Sequence, residues 1–231
     1  MSTWRQLRRS VRLLGAAALS LVVLVACQPD PTDGNRPPPP GASVDPFGGT
    51  IGAATREDVR VSWREGCPVH WRDLSVVRVS YWGYDGERHR GAIVVHDLAA
   101  PGIRDVFESL YRQRFQVERI SRVDEYDADD DASMAANNTS AFNCRKVAGT
   151  SSWSMHSYGT AIDVNPMQNP YVVNGTYSPP GSEQWANRSD VVPGMAVAGN
   201  PLVGAFDYIH WKWGGRWTSK KDYQHFSING Q

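Results

Sequence analysis

VRVSYWGYDGERHRGAIVVH, residues 77–96, decides the fold class. Val77, Val79 and Tyr81 alternate with polar or mixed residues, the period-two pattern of a strand with one buried face. Asp85-Gly86 is a hairpin signal, because a tight turn needs backbone conformations that Asp and Gly tolerate. Gly91-Ala-Ile-Val-Val-His96 then returns as a second, antiparallel strand. Downstream, Ile103, Val106, Phe107, Leu110 and Tyr111 recur at helical spacing, and Pro101 suits a first helical turn. Residues 117–123 read as a further strand. No repeat of about 20–50 residues is present, which excludes a solenoid. The expectation is α+β: a small antiparallel sheet with helices packed on one side.

Outward from this core, the 231 residues allow one domain with appendages. Hydrophobic residues make up 41% and charged residues 21%, the balance of a folded rather than a disordered chain. Lys plus Arg equals Asp plus Glu, 24 against 24, so no nucleic-acid partner is expected. Four of the cations, Arg5, Arg8, Arg9 and Arg12, precede the apolar run LLGAAALSLVVLVA, residues 13–26. Removing residues 1–26 leaves 20 basic against 24 acidic side chains, a mildly acidic protein.

A basic start and a short apolar core are those of an export signal, since spanning a bilayer takes roughly 20 apolar residues. Leu24-Val25-Ala26-Cys27 resembles the bacterial lipobox, whose cysteine becomes the lipid-modified N-terminus after cleavage. An ordinary signal peptide ending near a cysteine is the alternative. The lipobox reading predicts a bacterial membrane lipoprotein on the extracytoplasmic face, anchored through Cys27. Residues 27–53, with Pro37 to Pro40, form a Pro/Gly-rich tether that holds a domain over residues 54–231 off the membrane. With Cys27 given to lipid, Cys67 and Cys144 remain as a disulfide pair for an oxidising compartment, or as two free buried thiols.

Asp127, Asp129, Asp130 and Asp131 invite a calcium loop. The pattern fails: no Gly stands sixth and Asn138 occupies the place of the bidentate Glu. A solvated acidic loop is expected instead.

The chemistry lies in Ser154-Met-His156-Ser-Tyr-Gly159-Thr-Ala161-Ile-Asp163 and Asp222-Tyr-Gln-His225-Phe. Ala161 and Asp163 would share one face of a strand, with Ile162 and Val164 turned to the core. Gly159 can supply the bend that returns His156 above Asp163. A carboxylate and a histidine gathered in this way are costly unless a cation neutralises them. His225 offers a third ligand, and two His with one Asp suit zinc while leaving a position for water. Asp222, three residues before His225, is placed to take a proton from that water.

At these residues the chain resembles the zinc-dependent D-alanyl-D-alanine carboxypeptidases. SMHSYGTAID and DYQHF are similar to that family's Ser-x-His-x-x-Gly-x-Ala-x-Asp and Asp/Glu-x-x-His pair. The family includes VanY-type carboxypeptidases, VanX-type dipeptidases and phage L-alanyl-D-glutamate endolysins. The likeness covers about residues 60–227, including Phe142-Asn-Cys-Arg145 and Trp211-x-Trp213-Gly-Gly-x-Trp217. It implies the small α+β fold shared with the hedgehog signalling domain. It implies one zinc per chain on His156, Asp163 and His225, with Asp222 as catalytic base. Arg145 and Ser154 correspond to groups that hold a substrate carboxylate in related enzymes.

Trp211, Trp213 and Trp217 are candidates for the cleft wall, Trp213 foremost as a substrate contact. Asp222 stands where the carboxypeptidases and dipeptidases often carry Glu, which resembles the endolysin branch. His210 is not explained by the likeness and reads as a solvent-side histidine. The expected activity is that of a monomeric zinc D-alanyl-D-alanine carboxypeptidase acting on peptidoglycan stem peptides. The alternatives are an L-alanyl-D-glutamate endopeptidase and a non-catalytic, zinc-stabilised cell-wall-binding lipoprotein.

Overall fold

The computed structural model describes residues 46–231. The export signal, Cys27 and most of the tether lie outside the described residues. Among the described residues, no helix is long and apolar enough to cross a membrane.

The quoted hairpin forms as expected. Strand β2 (Leu74–Trp82) pairs antiparallel with β3 (Arg88–His96), Val77 opposite Ile93 and Val79 opposite Gly91. A third strand, β1 (Thr50–Ala53), lies on the other edge of β2 with Ile51 opposite Val77. Residues 50–53, expected as tether, are thus a strand of this sheet. The outer edge of β2 carries backbone groups that need partners, and Thr50–Ala53 supplies them. Phe47 also packs on Tyr111, ring centroids 5.7 Å apart.

Helix α1 (Ala100–Arg112) buries all five of the periodic side chains, Ile103, Val106, Phe107, Leu110 and Tyr111. Most of them meet Val77, Val79, Ile93 and Val95 on one face of the sheet. Burying each such side chain contributes about 1.5–3 kcal/mol. The opposite face, with Leu74, Val76 and Val94, is covered by loops and a short 3-10 turn rather than an α-helix: Ala54, Val59, Val69, Phe142 and Cys144. Cys67 and Cys144 form a disulfide there, Cα atoms 5.9 Å apart across 77 residues of sequence. Closing such a loop stabilises the fold by about 4–5 kcal/mol in the chain-entropy account.

The strand expected over residues 117–123 is shorter. Only β4 (Arg119–Ile120) pairs regularly, parallel to β5 (Asn138–Thr139), with the short helix α2 (Asp130–Ala135) between them in sequence. The ladder stops because the Asn138 side chain takes the next donor: Ser121 N–H donates to Asn138 Oδ1 at 2.9 Å. Val123 then opens a 3-10 turn through Tyr126.

The remaining chain adds two small sheets. In one, β6 (Ala161–Asp163) pairs with β11 (His225–Ser227), which pairs with β9 (Lys212–Trp213). In the other, β7 (Tyr171–Val173) joins β8 (Thr176–Ser178) and β10 (Lys221–Asp222). Helix α3 (Pro201–Tyr208) is capped by Asn200, whose Oδ1 accepts from Val203 N–H at 3.1 Å. Its Leu202, Val203 and Phe206 complete the larger core with Ile162, Val164 and Phe226.

Candidate metal centre

Two neighbouring strands and one turn build the centre. On β6 and β11, Asp163 stands directly opposite His225, and Ile162 opposite Phe226. Strand alternation sends Ile162 and Phe226 into the core and leaves Asp163 and His225 together on the other face. His156 comes from the 3-10 turn Met155–Tyr158, where Ser154 Oγ accepts from its N–H at 3.3 Å. Gly159 ends that turn in the left-handed conformation, φ 66°. A Cβ there would lie 2.5 Å from His96 N, whose N–H donates to Gly159 O at 2.8 Å. The glycine thus both bends the chain and lets the turn dock on β3.

The three side chains converge. His225 Nδ1 lies 3.0 Å from Asp163 Oδ1, His156 Nε2 3.2 Å from Asp163 Oδ2, and the two nitrogens 3.3 Å apart. Each remaining ring nitrogen meets a main-chain carbonyl: His156 Nδ1 with Ala141 O at 2.6 Å, His225 Nε2 with Gln231 O at 2.9 Å. A carbonyl only accepts, so those nitrogens carry protons, and the inward nitrogens are the ones that can offer lone pairs to a metal. All three residues are buried. Donors about 2.0–2.2 Å from a tetrahedral zinc stand about 3.3–3.6 Å apart, close to the spacing here, so the donor set fits that ion.

The electrostatics show what a cation would relieve. Burial by itself raises the Asp163 carboxyl, but His156 and His225 outweigh it and hold the group well below the usual carboxylate range. Burial lowers His225, yet the hydrogen bond and charge of Asp163 prevail and bring it up to about 9.

Asp222 belongs to β10, opposite Tyr171. The residue is half-buried, while its Oδ1 is closed off from solvent and has no partner. Burial pushes its carboxyl up to about 7, with His225 pulling down and Asp163 pushing up. Gly214 permits the close approach of this strand, since a Cβ there would stand 2.6 Å from Asp222 O.

Arg145 comes from a loop stapled beside the centre. Its N–H donates to Ser157 Oγ at 2.9 Å, and the Ser157 hydroxyl donates to Arg145 O at 2.6 Å. Arg145 Nη2 lies 2.8 Å from Asp130 Oδ2. Asp130 is therefore not part of a wholly solvated acidic loop: Asp129 caps α2 through Ala132 N–H at 3.0 Å, and the helix start carries Asp130 to the arginine.

Ser154 is buried and serves the His156 turn. Trp213 is placed differently from the expected cleft wall. It is 5% exposed, packs in the larger core and donates its indole N–H to Tyr223 O at 2.9 Å. Trp211 is also in that core. Trp217 is the tryptophan beside the centre, its ring centroid 5.8 Å from that of His225. Lys220 Nζ lies 4.9 Å from the Trp217 ring and 5.7 Å from that of Tyr171. His210 is exposed in a left-handed conformation after α3, as a solvent-side histidine should be. The Ala141 and Gln231 carbonyls had no sequence signal, because every residue carries one. Asp130 had a weak signal, an Asp ahead of a helix start.

Residues 148–228 match the model of a family described as D-alanyl-D-alanine carboxypeptidase. The match contains His156, Asp163, Asp222 and His225, and stops short of Asp130, Cys144 and Arg145. Neither a curated protein nor a solved structure matches the chain significantly.

Proposed function

We propose that this protein is a zinc metallopeptidase that hydrolyses peptidoglycan stem peptides, acting as a D-alanyl-D-alanine carboxypeptidase. The observation that carries the reading is the buried His156–Asp163–His225 cluster with the unpartnered Asp222 carboxylate nearby. The match to the carboxypeptidase family over residues 148–228 supports the reaction class. The lipobox at Cys27 and the tether support a place on the extracytoplasmic face of a bacterial membrane, within reach of such peptides.

In this reading His156 Nε2, Asp163 and His225 Nδ1 hold the zinc, and the Ala141 and Gln231 carbonyls keep the rings turned correctly. When bound, the ion supplies Lewis acidity toward a water and the scissile carbonyl. Asp222 takes the proton from the attacking water and returns it to the leaving amine. A carboxyl raised by burial is suited to both transfers near neutral pH, and a cation on the neighbouring ligands keeps it ionised before attack. Arg145 offers a planar guanidinium to the terminal carboxylate, which favours cleavage at the peptide's end.

The test is metal content together with D-alanine release from a pentapeptide ending in D-Ala-D-Ala, with and without chelator. The full chain is produced in an oxidising compartment and solubilised in detergent. One zinc per chain and chelator-sensitive D-alanine release are expected. Release of a whole stem peptide from muropeptides would replace the carboxypeptidase by the endopeptidase. A chain without metal would overturn the peptidase reading.

A further inference from the structure

The Arg145 guanidinium has a fixed neighbour on the side of α2. Asp130 Oδ2 lies 2.8 Å from Arg145 Nη2, and the two side chains are only 26% and 30% exposed. Both residues are anchored before they meet. Asp127 and Ala128 adopt left-handed backbone, φ 54° and 60°, which turns the chain into α2. Asn143 Nδ2 donates to Ala128 O at 3.3 Å and so ties that turn to the segment carrying Arg145. On the other side, Cys144 is held by its disulfide and its carbonyl accepts from Arg64 Nη1 at 2.6 Å. Asn143 N–H donates to His156 O at 3.2 Å and Arg145 N–H to Ser157 Oγ at 2.9 Å, which places the pair beside the turn that carries His156. The Arg145 Nε is closed off from solvent and has no acceptor.

A free arginine samples many rotamers and loses that freedom when it binds a carboxylate. One held in place by a second acceptor has already lost it, so binding is stronger for the same hydrogen bonds. We infer that Asp130 is a positioning residue, holding one amino group of Arg145 so that the rest of its planar fork meets the C-terminal carboxylate of a bound peptide. The inference rests on the peptidase reading for the presence of that peptide. Asp130 itself touches neither the peptide nor the reacting atoms.

The test compares two ligands, an acetylated peptide ending in D-Ala-D-Ala and the same peptide as its C-terminal amide. Calorimetry measures their binding to the zinc-loaded full chain carrying Asp222→Asn, which slows turnover about 10²- to 10⁴-fold. The carboxylate is expected to bind more than tenfold tighter than the amide, and Arg145→Ala to abolish that preference. Asp130→Asn is expected to cut the preference about tenfold at unchanged zinc content, with amide binding little altered. Asp130→Glu, which keeps the charge and moves it by one methylene, is expected to fall between.

An undiminished or enhanced preference in Asp130→Asn would mean that Asp130 competes with the ligand, and would overturn the inference. If that variant fails to fold, an undiminished preference in Asp130→Glu does the same. No preference in the Asp222→Asn background also overturns it. A preference for carboxylate without hydrolysis by the chain with Asp222 intact would remove the peptidase reading and leave the role of Asp130 standing.

Discussion

His156, Asp163 and His225 stand on a short sheet and a capped turn, whereas Arg145 comes from a loop and meets Asp130 at the start of α2. The ligand end gets its geometry from strand register: Asp163 opposite His225, with the core residues Ile162 and Phe226 locking the pair from behind. A slip of one residue would turn the ligands to the wrong face, so the register is held by the whole core. The end that carries Arg145 has no such ladder. It depends on a disulfide, the Ser157 hydroxyl and one ion pair. Three donors a few ångströms apart are thus held by strand register, and the Arg145 segment by staples between loops.

The largest expected effect separates chemistry from the ligand set. Asp222→Asn should lower kcat about 10²- to 10⁴-fold while the chain keeps one zinc, as read by metal analysis and D-alanine release. Full activity in that variant would remove Asp222 from proton transfer.

Replacing Cys67 and Cys144 together by Ser probes the other end. Stability should fall by about 2–5 kcal/mol, read from the urea midpoint. Zinc content should persist while KM rises more than kcat falls, because Arg145 follows Cys144 directly. Loss of zinc with the disulfide would show that the two ends are one mechanical unit.

The smallest effect is graded with pH. In the metal-free chain His225 is raised from about 6.5 to about 9 by Asp163, against the opposing pull of burial. Its contribution to stability is therefore full below about pH 6.5 and is lost as pH rises through about 9. Metal affinity runs the other way, since zinc must displace that proton. Each unit of pH lowered beneath 9 should weaken zinc binding about tenfold, with proton uptake and release followed in buffers of different ionisation enthalpy. An affinity flat across neutral pH would show that His225 is already neutral before the metal arrives.

The hairpin of residues 77–96, the α1 face and the clustering of His156, Asp163 and His225 were legible because each rests on local periodicity or on a short motif. Alternation identifies the face of a strand, helical spacing the face of a helix, and Gly159 the bend between His156 and Asp163. The strand over residues 117–123 was over-read because alternation cannot show that an Asn138 side chain ends the ladder. Thr50–Ala53 reads as tether in the sequence because a short run of small residues has no periodicity of its own until an open strand edge lies beside it.

Trp213 and Asp130 mark the limit most clearly. A tryptophan in a cluster reads equally as wall or core, and packing against Phe226, ring centroids 6.4 Å apart, made it core. An acidic run reads as solvated until one member meets an arginine fifteen residues later in the chain. Residue type and short spacing settle which groups can bind a metal, because donor chemistry belongs to the side chain and strand alternation to neighbours in sequence. Which carbonyls orient the histidines, which tryptophan adjoins the centre and which aspartate holds Arg145 depend on contacts between distant segments, and those exist only once the core has packed.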